Sequence, residues 1–84
     1  MERKIYYYYS NSCGSCEGYG DVVDKLSTAL GICCQKANVD EIEPQHKLRG
    51  VPTVIIAEGD DVIYSSVGNF PYEYLLEDVR KNVK

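Results

Sequence analysis

The order of strand-like and helix-like segments in the first forty residues constrains the fold of this chain most. Residues 4–9 are rich in Ile and Tyr, which favour strands, and residues 10–12 then interrupt the pattern with turn and cap residues. Apolar residues next recur at helical spacing: Tyr19, Val22, Val23, Leu26, Ala29 and Leu30. Gly31 is predicted to cap this helix, and residues 32–39 are predicted to form a second strand. A strand, a helix and a strand in this order form a right-handed unit with parallel strands.

The second half of the sequence adds a short helical segment, a hairpin and a final helix. Asp40 is predicted to cap a helix over residues 41–48. After a break at residues 50–52, β-branched residues 53–57, a turn and residues 61–66 predict an antiparallel hairpin. Residues 68–71 open the last helix, with Pro71 in its first turn. The predicted fold is therefore α/β, in the order βαβ-α-ββ-α, with a four-stranded mixed sheet flanked by three helices.

Length and charge exclude several classes of function. The 84 residues show no repeat or linker, so we expect a single domain over residues 1–84. A formal net charge of -4 argues against a nucleic-acid partner, which requires a basic surface for phosphate. There is no apolar run of the roughly 18 residues that span a bilayer, so no membrane partner is expected. Tyrosines follow Arg3 and Lys4 where a signal peptide would be apolar, which predicts a cytoplasmic, reducing location.

The four cysteines fall into two pairs of different spacing. Cys13 and Cys16 form a Cys-x-x-Cys motif, whereas Cys33 and Cys34 are adjacent. A zinc site is an alternative, although adjacent cysteines on a strand point to opposite faces and chelate one ion poorly. A secreted disulfide framework is a second alternative that needs an oxidising compartment. In a cytosolic α/β chain the first pair indicates a dithiol redox site.

Cys13 is predicted to lie where the first strand ends and the first helix begins. Unpaired N–H groups and the helix dipole would stabilise a thiolate there and lower its pKa from the free value of about 8.5. Cys16, three residues later, would lie close enough to resolve a mixed disulfide. Gly14 and Ser15 between them are small and leave the site open to a protein substrate. Two unreactive core thiols are the structural alternative.

Together these segments resemble the thioredoxin superfamily along nearly the whole chain. The resemblance is carried by Cys13-Gly14-Ser15-Cys16, Asn38-Val39-Asp40, Leu48-Arg49-Gly50-Val51-Pro52-Thr53 and Val67-Gly68. It implies a minimal thioredoxin fold without the family's extra N-terminal strand and helix, at the length of a glutaredoxin or a small thioredoxin.

The resemblance also implies a function. Cys13 would be the nucleophile and Cys16 the resolving thiol of a protein-disulfide reductase that acts as an electron carrier in cell redox homeostasis. The only redox group would be the Cys13–Cys16 disulfide, with no metal. Substrates would bind at Val51, Pro52, Gly68 and Ser12, with the peptide bond before Pro52 in the cis form. A thioredoxin reductase or a glutathione system would supply electrons to a monomer.

Several positions depart from the family pattern. Tyr7 stands where the family has a buried carboxylate, and Tyr9 and Ser12 stand at positions where it commonly has tryptophan. Lys36 matches the lysine that accompanies the acid, so we expect it to pair with Tyr7, Asp40 or the thiolates. Tyr7, Tyr9 and Lys36 are therefore the candidates for tuning thiol pKa values. Ser15 replaces the usual proline of the dithiol motif.

Three points stay open from sequence. A glutaredoxin-like electron donor to a specific partner is an alternative, although residues 67–70 hold one glycine and Glu17 follows Cys16 where a basic residue is expected. A redox-sensing or binding module of the same fold is another. One of Cys33 and Cys34 should face the core, and the exposed one is a candidate for regulation by oxidation. His46 is expected at the solvated surface.

Overall fold

The structure, a computed structural model, describes residues 2–11, 18–43 and 48–83. Its elements are listed here in chain order: β1 (Arg3–Tyr9), α1 (Tyr19–Leu30), β2 (Cys33–Asn38), β3 (Thr53–Glu58), β4 (Asp61–Val67) and α2 (Tyr72–Asn82). Neither of these two helices is long and apolar enough to cross a membrane.

The strands form one mixed sheet in the order β2-β1-β3-β4. β1 and β2 are parallel and β3 and β4 are antiparallel, as the sequence predicts, and the structure adds that β1 pairs antiparallel with β3. Tyr9 is paired with Asn38, Tyr8 with Thr53, and Thr53 with Val67. The register therefore brings the ends of β1, β2 and β4 and the start of β3 to one end of the sheet, which we call the Pro52 end.

Both helices pack against each other and on one face of the sheet. Alternation along β1 directs Ile5 and Tyr7 to this face, where they meet helical residues such as Leu26 and Leu75. Val54 and Ile56 of β3 are completely buried in the same core. β3 is buried along nearly its whole length, because its other face carries Thr53, Ile55 and Ala57, which are buried as well.

The helix ends follow the sequence in part. Gly31, at φ 66°, caps α1 as predicted: its N–H donates to Thr28 O and the N–H of Ile32 donates to Ser27 O. Pro71 precedes α2 rather than lying inside its first turn, because its ψ of 151° is extended. Its carbonyl still accepts the first bond of the helix, from the N–H of Leu75.

Two predictions about helices are corrected, namely the start of α1 and the presence of a third helix. α1 begins at Tyr19, and Gly18 before it has φ 78°, a left-handed conformation that interrupts a right-handed helix. The prediction that one helix runs unbroken from Cys13 to Leu30 is therefore wrong. The predicted third helix over residues 41–48 is also not observed: residues 41–43 form a turn and a bend, and residues 44–47, with His46, lie outside the described residues. The described parts of the chain thus contain two helices, not three.

Candidate functional site

The loop before β3 contributes a buried proline to the Pro52 end. The Val51–Pro52 peptide bond is cis, as the resemblance implies. Pro52 is fully buried, and its carbonyl accepts a hydrogen bond of 2.9 Å from the N–H of Gly68. Thr53 Oγ1 donates to Gly50 O at 2.5 Å. Two of the predicted substrate-binding residues, Pro52 and Gly68, are therefore joined directly across β3 and β4.

Val51, the third predicted substrate-binding residue, is half-buried beside this bond. Within residues 2–11, 18–43 and 48–83, no backbone group is hydrogen-bonded to the peptide groups of Val51. Peptide groups of this kind can pair with an extended segment of another chain, as in the addition of a short β-strand.

A polar network that the sequence analysis missed joins the ends of β1 and β2. Asp40 Oδ2 accepts hydrogen bonds from Ser10 Oγ (2.7 Å) and from the N–H of Asn11 (2.9 Å). Asn38 Nδ2 donates to Asn11 Oδ1, and Asn38 Oδ1 accepts from the N–H of Asp40, both at 2.9 Å. The sequence signal for this network is the presence of polar side chains directly after each of two parallel neighbouring strands. The sequence prediction interprets Asp40 as a helix cap instead. The network fixes the point at which the chain leaves β1.

Three tyrosines pack together beneath this end of the sheet. The rings of Tyr7 and Tyr9 stack with centroids 5.4 Å apart, and Tyr19 meets Tyr7 edge-on at 5.8 Å. Burial, followed by the neighbouring Tyr19 and Tyr9, raises the pKa of Tyr7 from 10 to about 12. Tyr7 therefore places a neutral phenol where the family pattern has a carboxylate.

Lys36 pairs with a residue that the sequence analysis did not name. Its Nζ lies 2.9 Å from Asp24 Oδ2 on α1, which is not among the predicted partners Tyr7, Asp40 and the thiolates. The carboxylate of Asp40 instead accepts from Ser10 and Asn11, and the thiols of Cys13 and Cys16 lie outside the described residues. The hydrogen bond to Asp24 raises the pKa of Lys36. Lys36 also lies over the start of α1, since a Cβ added at Gly20 would be in ordinary contact with Nζ, at 3.6 Å.

A cleft of about 310 Å³ lies among these groups. Its walls are listed here: Tyr7, Tyr9, Gly18, Gly20, Asp21 and Lys36. All three candidates for tuning thiol pKa values thus line one cleft, and it borders Gly18, the first described residue after the dithiol segment.

The second cysteine pair is divided between the two faces of β2. Cys33 is exposed, Cys34 packs against the core, and both are free thiols. Burial, followed by the charge of Asp24, raises the pKa of Cys34. The prediction that one member faces the core is confirmed.

The remaining predicted site residues lie outside the described residues. These are Ser12, Cys13 and Cys16, together with Gly14, Ser15 and Glu17. In the part of the chain that the structure describes, no three His, Cys, Asp or Glu side chains cluster as metal ligands would.

Comparison with known proteins was made for sequence and for fold. No family model matches the sequence. The chain is 32% identical over 82 residues to a thioredoxin of Rhodospirillum rubrum, covering 90% of this chain and 78% of that protein. It is 27% identical over 81 residues to a thioredoxin of Chlorobaculum thiosulfatiphilum, covering 90% of this chain and 75% of that protein.

Solved structures agree on the fold. One, described as a malarial protein, superposes with a TM-score of 0.83 at 18% identity and full coverage of both chains. A second, thioredoxin-2 from the protein secretion machinery of the malaria parasite, gives 0.79 at 19% identity, covering 95% of this chain and 82% of that one. These superpositions show the fold, and the Rhodospirillum rubrum relative, at 32% identity, shows the family: this chain belongs to the thioredoxin family.

Proposed function

We propose that this chain reduces protein disulfides, with Cys13 as the nucleophile and Cys16 as the resolving thiol. The observation that carries the proposal is the sheet register. It brings Asn11, after which the dithiol segment begins, to the same end of the sheet as Pro52 and Gly68. A Cys-x-x-Cys segment that follows Asn11 at this end, together with peptide groups of Val51 that no backbone group of the described residues binds, suits a substrate held as an extended strand.

The reaction proceeds by two exchanges. The Cys13 thiolate attacks one sulfur of the substrate disulfide; a mixed disulfide forms and the other substrate sulfur leaves as a thiolate. The Cys16 thiolate then attacks the Cys13 sulfur, which forms the Cys13–Cys16 disulfide and releases the second substrate thiolate. Solvent protonates both leaving thiolates. Two electrons pass to the substrate, and a thioredoxin reductase or two molecules of glutathione then reduce the Cys13–Cys16 disulfide back to the dithiol.

The described residues supply binding and orientation to this reaction. Val51 offers its peptide groups to the substrate backbone, and the bond from Gly68 holds Pro52 in place beneath it. Asp40 fixes Ser10 and Asn11 at the start of the dithiol segment. Tyr7 is not suited to accept a proton from Cys16, since a phenol with a raised pKa is neutral and already protonated near neutral pH.

Reduction of insulin, followed by turbidity, tests the proposal. The unsubstituted chain should reduce insulin with either thioredoxin reductase and its nicotinamide donor, or glutathione and its reductase, as the electron source. Cys13→Ser should abolish the activity, while Cys33→Ser and Cys34→Ser, which change the other pair, should retain it. Full activity in Cys13→Ser would rule the mechanism out.

A second candidate function is a redox-sensing or binding module. It is favoured by one observation, the neutral Tyr7 phenol at the position of the family's carboxylate. The midpoint potential of the dithiol separates the two candidates, because a reductant must have a potential close to that of the reducing cytoplasm. A potential far more oxidising than that would favour the sensing module.

A further inference from the structure

An exposed apolar strip leads away from the Pro52 end along the outside of α2. We define this aromatic strip by Val67, Phe70 and Tyr74. Val67 is 42% exposed and Tyr74 is 54% exposed, which makes them two of the large apolar side chains most open to solvent. Phe70, the chain's single phenylalanine, lies between them in the sequence and is half-buried. Scattered exposed apolar residues are common in proteins, but contiguous ones mark interaction surfaces.

Two glycines without side chains, Gly50 and Gly68, lie next to the aromatic strip. A Cβ at Gly50 would touch Val67 Cγ1 at 3.6 Å, and a Cβ at Gly68 would touch the Phe70 ring at 3.7 Å. The rings of Phe70 and Tyr74 stack with centroids 5.0 Å apart and planes at 26°. A substrate that pairs with Val51 can therefore extend onto these two rings.

The start of α2, which carries Tyr74, is acidic. The first two turns of α2 carry Glu73, Glu77 and Asp78 and no basic residue. Asp78 is already engaged, since it accepts a hydrogen bond of 2.6 Å from Tyr64 Oη. Glu77 makes only a loose pair of 3.4 Å with Lys81, in which both side chains are 71% exposed. Glu73, beside Tyr74 in the sequence, is exposed.

We propose that the aromatic strip binds an arginine side chain of the protein substrate, so that this chain prefers disulfides flanked by basic segments. The proposal rests on the proposed function and names its substrate class. A guanidinium group can stack on the Tyr74 ring and donate hydrogen bonds to the carboxylates of Glu73 or Glu77 at the same time. Lysine cannot stack as a plane, so arginine is preferred to lysine.

Binding without chemistry is the first test. Fluorescein-labelled peptides in which the cysteine is replaced by serine, and in which arginine, lysine or serine is scanned through the flanking positions, are titrated with the whole chain. Fluorescence anisotropy should show an arginine peptide that binds about three- to tenfold more tightly than its serine counterpart. Tyr74→Ala should abolish this preference, and Glu73→Gln combined with Glu77→Gln should reduce it. Val62→Ala, which changes a side chain that is 50% exposed at the opposite end of β4, is the matched control.

The rate of disulfide reduction is the second test. For the corresponding disulfide-linked peptides, the ratio of kcat/KM for arginine over serine should exceed one in the unsubstituted chain and fall to about one in Tyr74→Ala. Equal binding of all peptides, or a preference that survives Tyr74→Ala, overturns the docking proposal even if the chain is an active reductase. A Tyr74-dependent preference in binding together with no reduction of any disulfide would instead overturn the proposed function. A concentration-dependent dimer that Tyr74→Ala dissociates would assign the aromatic strip to a second copy of the chain and contradict the proposal.

Discussion

Lys36 on β2 and Asp24 on α1 form an ion pair, with 2.9 Å between Nζ and Oδ2. Lys36 lines the cleft beneath the Pro52 end, and its pair with Asp24 ties the first helix to the edge strand. Its side chains are 42% and 53% exposed, so solvent screens the attraction. The pair therefore orients Lys36 over Gly20 and Tyr7 more than it stabilises the fold.

The first prediction concerns the energy of this pair. Lys36→Met, Asp24→Asn and the double variant should give a coupling free energy below about 1 kcal/mol in urea unfolding. The coupling should shrink further when salt is added, because screening acts on exposed charges. A coupling that is well above this value and insensitive to salt would contradict the account of an exposed pair.

The second prediction concerns the network around Asp40. Asp40→Ala removes the acceptor of two hydrogen bonds, from Ser10 and Asn11, and should lower the free energy of unfolding by about 1–2 kcal/mol. It should also slow insulin reduction, because the start of the dithiol segment loses its support. Glu41→Ala is the matched control, since Glu41 is the next acidic residue along the chain and is exposed. Equal effects of the two substitutions would show that the network does not hold the start of the dithiol segment in place.

The third prediction concerns alkaline pH. The pKa of Tyr7 is about 12 in the folded chain, against an ordinary value of 10. Between these values the unfolded chain loses a proton that the folded chain keeps, so the free energy of unfolding falls as pH rises from 10 to 12. The full contribution is present below pH 10, and its loss is on the order of 2 kcal/mol.

Tyr7→Phe should make this decline shallower. Tyr19 and Tyr64, whose pKa values are also raised by burial, remain in the variant and should keep part of the decline. Urea unfolding at a series of alkaline pH values, with the ionisation of tyrosine followed by absorbance, measures both effects. Identical pH profiles for the two proteins would place the ionisation of Tyr7 at its ordinary pKa.

The fourth prediction compares two glycines at the start of α1. At Gly20 an added Cβ would make ordinary contacts of 3.6 Å with Lys36 and 3.8 Å with Tyr7, so Gly20→Ala should stabilise the chain by about 0.5–1 kcal/mol. At Gly18 there is open space, but φ is 78°, so Gly18→Ala should destabilise it by about 1 kcal/mol. Thermal unfolding should thus shift in opposite directions. A gain in stability from Gly18→Ala would mean that the helix can extend towards the cysteines.

Sequence alone predicts the four strands, the parallel pair and the hairpin, because periodic apolar residues and turn glycines are local signals. The order of the strands in the sheet was not predicted, since the pairing of β1 with β3 joins distant parts of the chain. Gly31 was correctly predicted as a helix cap for the same reason. The start of α1 was not predicted correctly, since nothing in the sequence distinguishes the positive φ of Gly18 from the helical conformation of Gly20 two residues later. Residues 41–43 form a turn because Asp40, the expected helix cap, uses its carboxylate for Ser10 and Asn11 instead.

The sequence predicted some residues of the candidate site and missed contacts between others. Pro52 and Gly68 follow from the family pattern, whereas the partner of Lys36 depends on how α1 lies across β2, which no local pattern encodes. Asp24 is twelve residues from Lys36 in the chain and belongs to a different element. The stacking of Phe70 on Tyr74 likewise depends on the approach of the chain to α2 and was not foreseen.

The most direct test of the central claim is capture of the mixed disulfide. The Cys16→Ser chain is mixed with a disulfide-linked peptide and analysed by mass spectrometry under non-reducing conditions. The account predicts a one-to-one adduct at Cys13 that dithiothreitol releases, and no adduct when Cys13→Ser is added to the same chain. An adduct that persists in the absence of Cys13, or that maps to Cys33 or Cys34, would contradict it.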